Sequence, residues 1–113
     1  MKEIIIKEKS FKFAVRIINL YIYLKEKKEF TLSKQILRSG TSIGANVEEA
    51  SGGVSKADFK NKICISYKEA KETHYWLRLL KETKIINNIM FGSLEKDCVE
   101  IKKILYTIIK GLN

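Results

Sequence analysis

Two glycines one helical turn apart constrain this chain more than any other feature. The run Arg38-Ser-Gly-Thr-Ser-Ile-Gly-Ala-Asn-Val-Glu-Glu-Ala50 has the apolar periodicity of a helix, yet it holds Gly40, Gly44 and a series of small polar side chains. Each glycine inside a helix costs about 1 kcal/mol relative to alanine. Two such losses require compensation, and the natural source is close approach of another helix over Gly40 and Gly44. The segment is therefore expected to be a helix-contact surface.

The rest of the chain agrees with a helical fold. It has 113 residues, no proline and six glycines, so long stretches run without turn signals. A chain of this length forms one domain, here taken as residues 1–113, and buries roughly two-thirds of its unfolded surface. All-α is the expected class.

Four helices can be placed. Residues 1–9 are open between an extended arm and the first turns of a helix. Ser10 is a candidate N-cap for a helix to about Lys28. Phe11, Ala14, Val15, Ile18 and Ile22 form one apolar side of that helix, and Phe13, Ile17, Leu20 and Leu24 form another. Together they exceed the stripe of about 100° that a surface helix needs. Thr31 or Ser33 is a candidate cap for a second helix, with Leu32, Ile36, Ile43 and Val47 at helical spacing through Ala50.

Ser51-Gly-Gly-Val54 ends the second helix and reads as a plain interhelical turn. Ser55 with Asp58 resembles a capping box and opens a third helix to about Thr83. Its core row is Phe59, Ile63, Ser66, Ala70, Thr73, Leu77 and Leu80, and Ile65, Trp76 and Leu79 widen the apolar surface. Asn87 or Asn88 opens the last helix, whose seam is Leu94, Cys98, Ile101, Leu105, Ile108 and Leu112. Four helices with short links make an antiparallel up-and-down four-helix bundle. The surplus apolar surface on the first and third helices points to a homo-oligomer.

Chemistry is harder to place than fold. Cys64 and Cys98 lie in apolar helical patterns without CxxC or histidine spacing, so buried free thiols in a reducing cytoplasm are expected and no metal site is assigned. Glu48, Glu49, Glu69 and Glu72 lack the Glu-x-x-His pairs of di-metal bundles. The single histidine, His74, has no recognisable nucleophile or orienting acid and reads as a helix-surface residue. No phosphate-cradling glycine loop of Walker type is present. These observations point to a non-enzyme without a cofactor. No secretory leader is recognised, and no apolar run approaches the roughly 18 residues of a membrane span, so a cytoplasmic location is expected.

Polar residues on the second helix recur every three or four positions: Arg38, Ser42, Asn46 and Glu49. Opposite Glu69 and Glu72 of the third helix they have two readings. One is a ligand or RNA groove; the other, preferred here, is a structural hydrogen-bond and ion-pair network that fixes helix register.

Charge supplies the main functional lead. The net charge is +9, and residues 1–29 and 55–84 each carry eight basic and four acidic groups. On the third helix Lys56, Lys60, Tyr67, Lys71, His74, Arg78 and Lys81 share one side, about a quarter-turn from the core row. With Lys12 and Arg16 of the first helix, this row forms a candidate nucleic-acid-binding surface, in which Tyr67 stacks on an unpaired base. The competing reading is a solvated lysine face required for solubility alone.

Three segments carry a family resemblance: Ser10-Phe-Lys-Phe-Ala-Val-Arg16, Leu37-Arg-Ser-Gly-Thr-Ser-Ile-Gly-Ala-Asn-Val-Glu-Glu-Ala50 and Lys68-Glu-Ala-Lys-Glu-Thr-His-Tyr-Trp-Leu-Arg-Leu-Leu80. The chain resembles the 23S rRNA intervening-sequence proteins, to which accessory proteins of diversity-generating retroelements are related. Ser51 departs from the basic or aromatic residue that many members carry there. The resemblance implies an antiparallel four-helix bundle assembling as a ring, commonly a homopentamer. The expected function is a non-enzymatic oligomeric scaffold that binds RNA or a structured hybrid by backbone charge. The alternative is a protein-interaction module that recruits a partner enzyme such as a reverse transcriptase.

Overall fold

The computed structural model describes residues 1–112; Asn113, the last residue of the expected domain, lies outside the described residues. They form four helices and no strand: α1 (Lys2–Glu26), α2 (Leu32–Ser51), α3 (Lys56–Glu82) and α4 (Asn88–Gly111). Each helix packs on its sequence neighbours, and α1 closes the circuit against α4. Cross-helix pairs fix the directions. Lys7 meets Glu48 while Ile17 meets Gly40; Glu49 meets Lys62 while Arg38 meets Glu69. His74 meets Glu95 while Tyr67 meets Tyr106. Numbers rise along one helix as they fall along the other, so consecutive helices are antiparallel. The bundle measures 43 × 20 × 18 Å.

The first helix starts at Lys2, eight residues before the expected Ser10 cap. Ser10 instead is buried, and its hydroxyl donates to the carbonyl of Lys7. The physical reason lies in the row Ile6, Ser10, Phe13, Ile17, Leu20 and Leu24, all buried at alternating four- and three-residue spacing. Ser10 fills a core slot that must be small because α2 presses on it. The other apolar row of α1 faces outward: Ile4, Phe11, Val15, Ile18 and Ile22 are all exposed.

Gly40 and Gly44 make that press possible. A Cβ on Gly40 would stand 2.7 Å from both Cγ atoms of Ile17, and one on Gly44 would stand 3.2 Å from the carbonyl oxygen of Ser10. The first is shorter than real Cβ contacts, and the second is tight enough that the backbone of α1 would have to yield by a few tenths of an ångström. The α2–α3 seam is also small and polar: Ser66 donates to the carbonyl of Ile43 at 2.8 Å, and Thr73 donates to Ser39 Oγ at 2.9 Å.

Caps follow the sequence at two of three later starts. The Asp58 N–H donates to Ser55 Oγ at 3.0 Å, and the Met90 N–H donates to Asn87 Oδ1 at 2.8 Å. At α2, Thr31 holds the cap position without a side-chain bond. Glu29 does the work from the loop, its Oε1 accepting from the Ser33 N–H at 3.0 Å. One buried cluster with members from all four helices fills the interior.

Candidate nucleic-acid interface

The basic row of α3 lies on the flank of that helix turned toward α4. Lys56 and Arg78 are exposed, Lys60 is partly buried, and Lys71 extends over Tyr67 with its Nζ 5.8 Å from the ring centroid. Arg78 lies 5.6 Å from the Tyr75 ring, and Lys81 crosses to α4, 4.8 Å from the Phe91 ring. Lys71, Arg78 and Lys81 thus hold their charged ends over aromatic rings, where the ring quadrupole attracts them.

His74 departs from its expected surface position. It is wedged between α3 and α4, with Nε2 2.8 Å from Glu95 Oε2 and Nδ1 3.2 Å from Lys102 Nζ. An ammonium can only donate, so Nδ1 accepts from Lys102 and the Nε2–H donates to Glu95. The imidazole thereby fastens the seam.

Lys12 and Arg16 do not join the α3 row within one protomer, because α4 lies between them. Arg16 binds the far flank of α4: Nη1 donates to Asp97 Oδ2 at 2.7 Å and to the Ser93 carbonyl at 3.2 Å, and Nη2 donates to Ser93 Oγ at 2.7 Å. Its guanidinium acts first as a tie between α1 and α4. Lys12, one turn earlier, is exposed.

The polar ladder of α2 divides. Arg38 Nη1 donates to Glu69 Oε2 at 2.7 Å and Nη2 donates to Glu72, whose Oε2 also accepts from Trp76 Nε1–H at 3.1 Å. Hydrogen bonds to Glu69 and then Glu72 hold the Arg38 guanidinium above its usual pKa. Ser42 and Asn46 stay outside this fork. The Ser42 hydroxyl donates to the Arg38 carbonyl and the Asn46 amide to the Ser42 carbonyl, both within α2. Glu49 pairs with Lys62 at 2.9 Å, and the hydrogen bond to Glu49 raises the Lys62 pKa.

Both cysteines are free thiols, but only Cys98 is buried; Cys64, expected to be buried, is partly exposed. Cys98 Sγ lies 3.5 Å from the Ala70 carbonyl, and burial pushes its pKa up to about 12, which keeps it protonated and unreactive at neutral pH.

Sequence reasoning missed the α4 half of this surface. Tyr106 pairs with Tyr67 across the seam, ring centroids 5.9 Å apart and planes tilted by 43°. Lys110 Nζ lies 5.7 Å from the Tyr106 ring. Tyr67, Val99, Lys102, Lys103, Tyr106 and Thr107 line an open groove of about 530 Å³. A signal was available: from Ile101 to Gly111 the chain has three lysines and no acidic residue.

A family model described as the 23S rRNA-intervening sequence protein matches residues 2–107. Among solved structures, a protein of unknown function from the S23 ribosomal protein family of Bacteroides thetaiotaomicron VPI-5482 is similar at 56% identity. The match covers 97% of this chain and 99% of that one, with a TM-score of 0.95. No curated protein matches the chain.

Proposed function

The chain belongs to the 23S rRNA-intervening sequence protein family, and we propose that it works as a non-enzymatic, oligomeric scaffold that holds nucleic acid by phosphate charge. The observation that carries this reading is the sorting of charge around α3. Glu69 and Glu72 turn toward α2, where Arg38 engages them. The opposite flank carries Lys56, Lys71 and Arg78, and the carboxylate facing it from α4, Glu95, is engaged by His74. Glu69, Glu72 and Glu95 are thus drawn away from this face, and although Glu82 stands exposed at its far end beside Lys81, the balance is a positive strip suited to a polyanion.

Oligomerisation rests on the outer row of α1. Phe11 is 66% exposed, and Ile4, Val15, Ile18 and Ile22 continue the row at heptad-like spacing. A seam of this kind is built to meet another helix. Closure into a homopentamer is the arrangement we infer, with cytoplasmic RNA or a structured hybrid as the ligand. A ring repeats each basic strip and multiplies weak phosphate contacts through effective concentration.

The test is a light-scattering mass of the protein with and without an RNA and DNA pool, titrated across salt. A particle several times the 13.1 kDa chain mass, loaded at low salt and stripped as salt rises, supports the scaffold. Replacing Lys56, Lys71 and Arg78 together by Gln should preserve the fold. It should also lower the slope of log affinity against log salt by about 2 to 3. A ring that ignores nucleic acid at every salt overturns the reading and favours recruitment of a protein partner.

A further inference from the structure

We propose that the groove between α3 and α4 is a base-stacking subsite for single-stranded nucleic acid, built on Tyr67 and Tyr106. The inference rests on the nucleic-acid reading above and adds a ligand form and a site to it. Three observations carry it.

The first is the ring pair itself. Tyr106 is about half exposed, at 49%, and Tyr67 meets it at 5.9 Å across the seam. Two rings from different helices, tilted rather than stacked flat, leave aromatic surface open at the groove. The second is the charge around them. Lys71 lies over one ring and Lys110 over the other, and Lys102 and Lys103 line the same groove. Glu69, the acidic residue nearest Tyr67 in sequence on α3, is drawn to Arg38 on the opposite seam. The third is size: about 530 Å³ is within the range of small-ligand sites, and Val99 supplies an apolar wall.

This composition suits an unpaired nucleotide. A base stacked on an aromatic ring is worth more than an exposed ammonium over the same ring. A base entering the groove therefore displaces Lys71 or Lys110 from the ring faces, and the released ammonium turns to the flanking phosphate. Bases in a duplex are already stacked on one another and cannot reach the tyrosines, so a duplex engages only the lysines.

The experiment compares the full-length parent with a Tyr67→Leu/Tyr106→Leu variant and a Tyr67→Phe/Tyr106→Phe variant. Binding is read by fluorescence anisotropy at one salt concentration on a single-stranded oligouridine RNA, a single-stranded DNA of equal length and an RNA duplex. The Leu variant should lose about tenfold or more on both single strands and change less than about twofold on the duplex. The Phe variant should bind nearly as the parent, because it keeps the rings. Light-scattering mass and circular dichroism confirm that each variant keeps its assembly and helicity. If the Leu pair perturbs them, Tyr106→Leu alone, at the half-exposed ring, makes the same comparison. Equal losses on single strand and duplex, or no loss on the single strand while the parent binds it, overturn the stacking site and leave the charge scaffold standing. A parent that binds none of the three ligands overturns both.

Discussion

Where α1 meets α2, Gly40 faces Ile17 with no space for an added carbon, and Gly44 faces the backbone of Ser10 with little. Where α3 meets α4, the corresponding space holds Tyr67, His74 and Tyr106, with Glu95 and Lys102 reaching in from α4. Both are antiparallel helix hairpins in one small bundle, yet the first is closed by subtraction of side chains and the second by insertion of polar and aromatic ones. A seam closed over glycines transmits register and rigidity, and its small cavity, lined by Ala14, Gly44 and Ala45 between Lys7 and Glu48, holds about 210 Å³ against about 530 Å³ for the α3–α4 groove. A seam filled with rings and amines exposes them at its rim, and the candidate interface lies there.

The widest test of that contrast places an added side chain at two glycines. At Gly40 a Val would drive branched carbons into Ile17, which is itself β-branched and fully buried, so neither partner can swing away. We expect Gly40→Val to cost about 3 kcal/mol, read as a lower urea midpoint. At Gly92, in α4, nothing lies within 4 Å of an added Cβ. Gly92→Ala should therefore raise stability by up to about 1 kcal/mol through helix propensity alone. A Gly40→Val protein that melts and assembles as the parent does would break the description of the α1–α2 seam as close-packed.

A smaller effect is expected from the polar wedge of the other seam. His74→Leu keeps most of the volume and removes the hydrogen bonds to Glu95 and Lys102. Glu95 is partly exposed, so it rehydrates when its partner leaves. The loss should be about 1 kcal/mol in the same unfolding measurement. A loss as large as that of Gly40→Val would mean that the α3–α4 seam depends on its wedge as strictly as the α1–α2 seam depends on its gap.

The sequence disclosed these two seams unequally, for physical reasons. Glycine in a helix is a cost without local benefit, so Gly40 and Gly44 announced a close neighbour without naming it. The α3 core row was also legible, because Phe59, Ile63, Ser66, Ala70, Thr73, Leu77 and Leu80 have only one way to share a face; all are buried except Phe59 in the first turn, which is partly buried. On α1 periodicity offered two apolar rows and could not choose between them. Ser10 sits in the buried row, where a polar residue looks like a cap until the helix that presses on it is known. The Tyr67–Tyr106 pair needs the α3–α4 register, which no spacing within either helix contains. Sequence alone groups Arg16 with the basic surface, because its partners, Ser93 and Asp97, lie 77 and 81 positions away in the chain.

The two hairpins nevertheless share one device, and it sets the smallest test. Each first helix ends on a lysine in the left-handed region, Lys28 and Lys84, both at φ 63°. The following N–H then reaches back, Glu29 to the Leu24 carbonyl at 2.8 Å and Ile85 to the Leu80 carbonyl at 3.0 Å. This is the turn that glycine usually occupies, since a side chain at positive φ costs about 1 kcal/mol or more. Lysine there gives no turn signal of its own, yet the ends expected at about Lys28 and Thr83 lie within two residues of those observed, at Glu26 and Glu82. Lys28→Gly and Lys84→Gly should each stabilise the protein by about 0.5–1 kcal/mol, part of the relief being offset by the greater freedom of glycine in the unfolded chain. Because the backbone geometry is the same, the two gains should agree within about 0.3 kcal/mol and add in the double variant. A gain at one turn alone would show that the packing of that hairpin, and not the turn, sets its strain, and the difference between the seams would then extend to their ends.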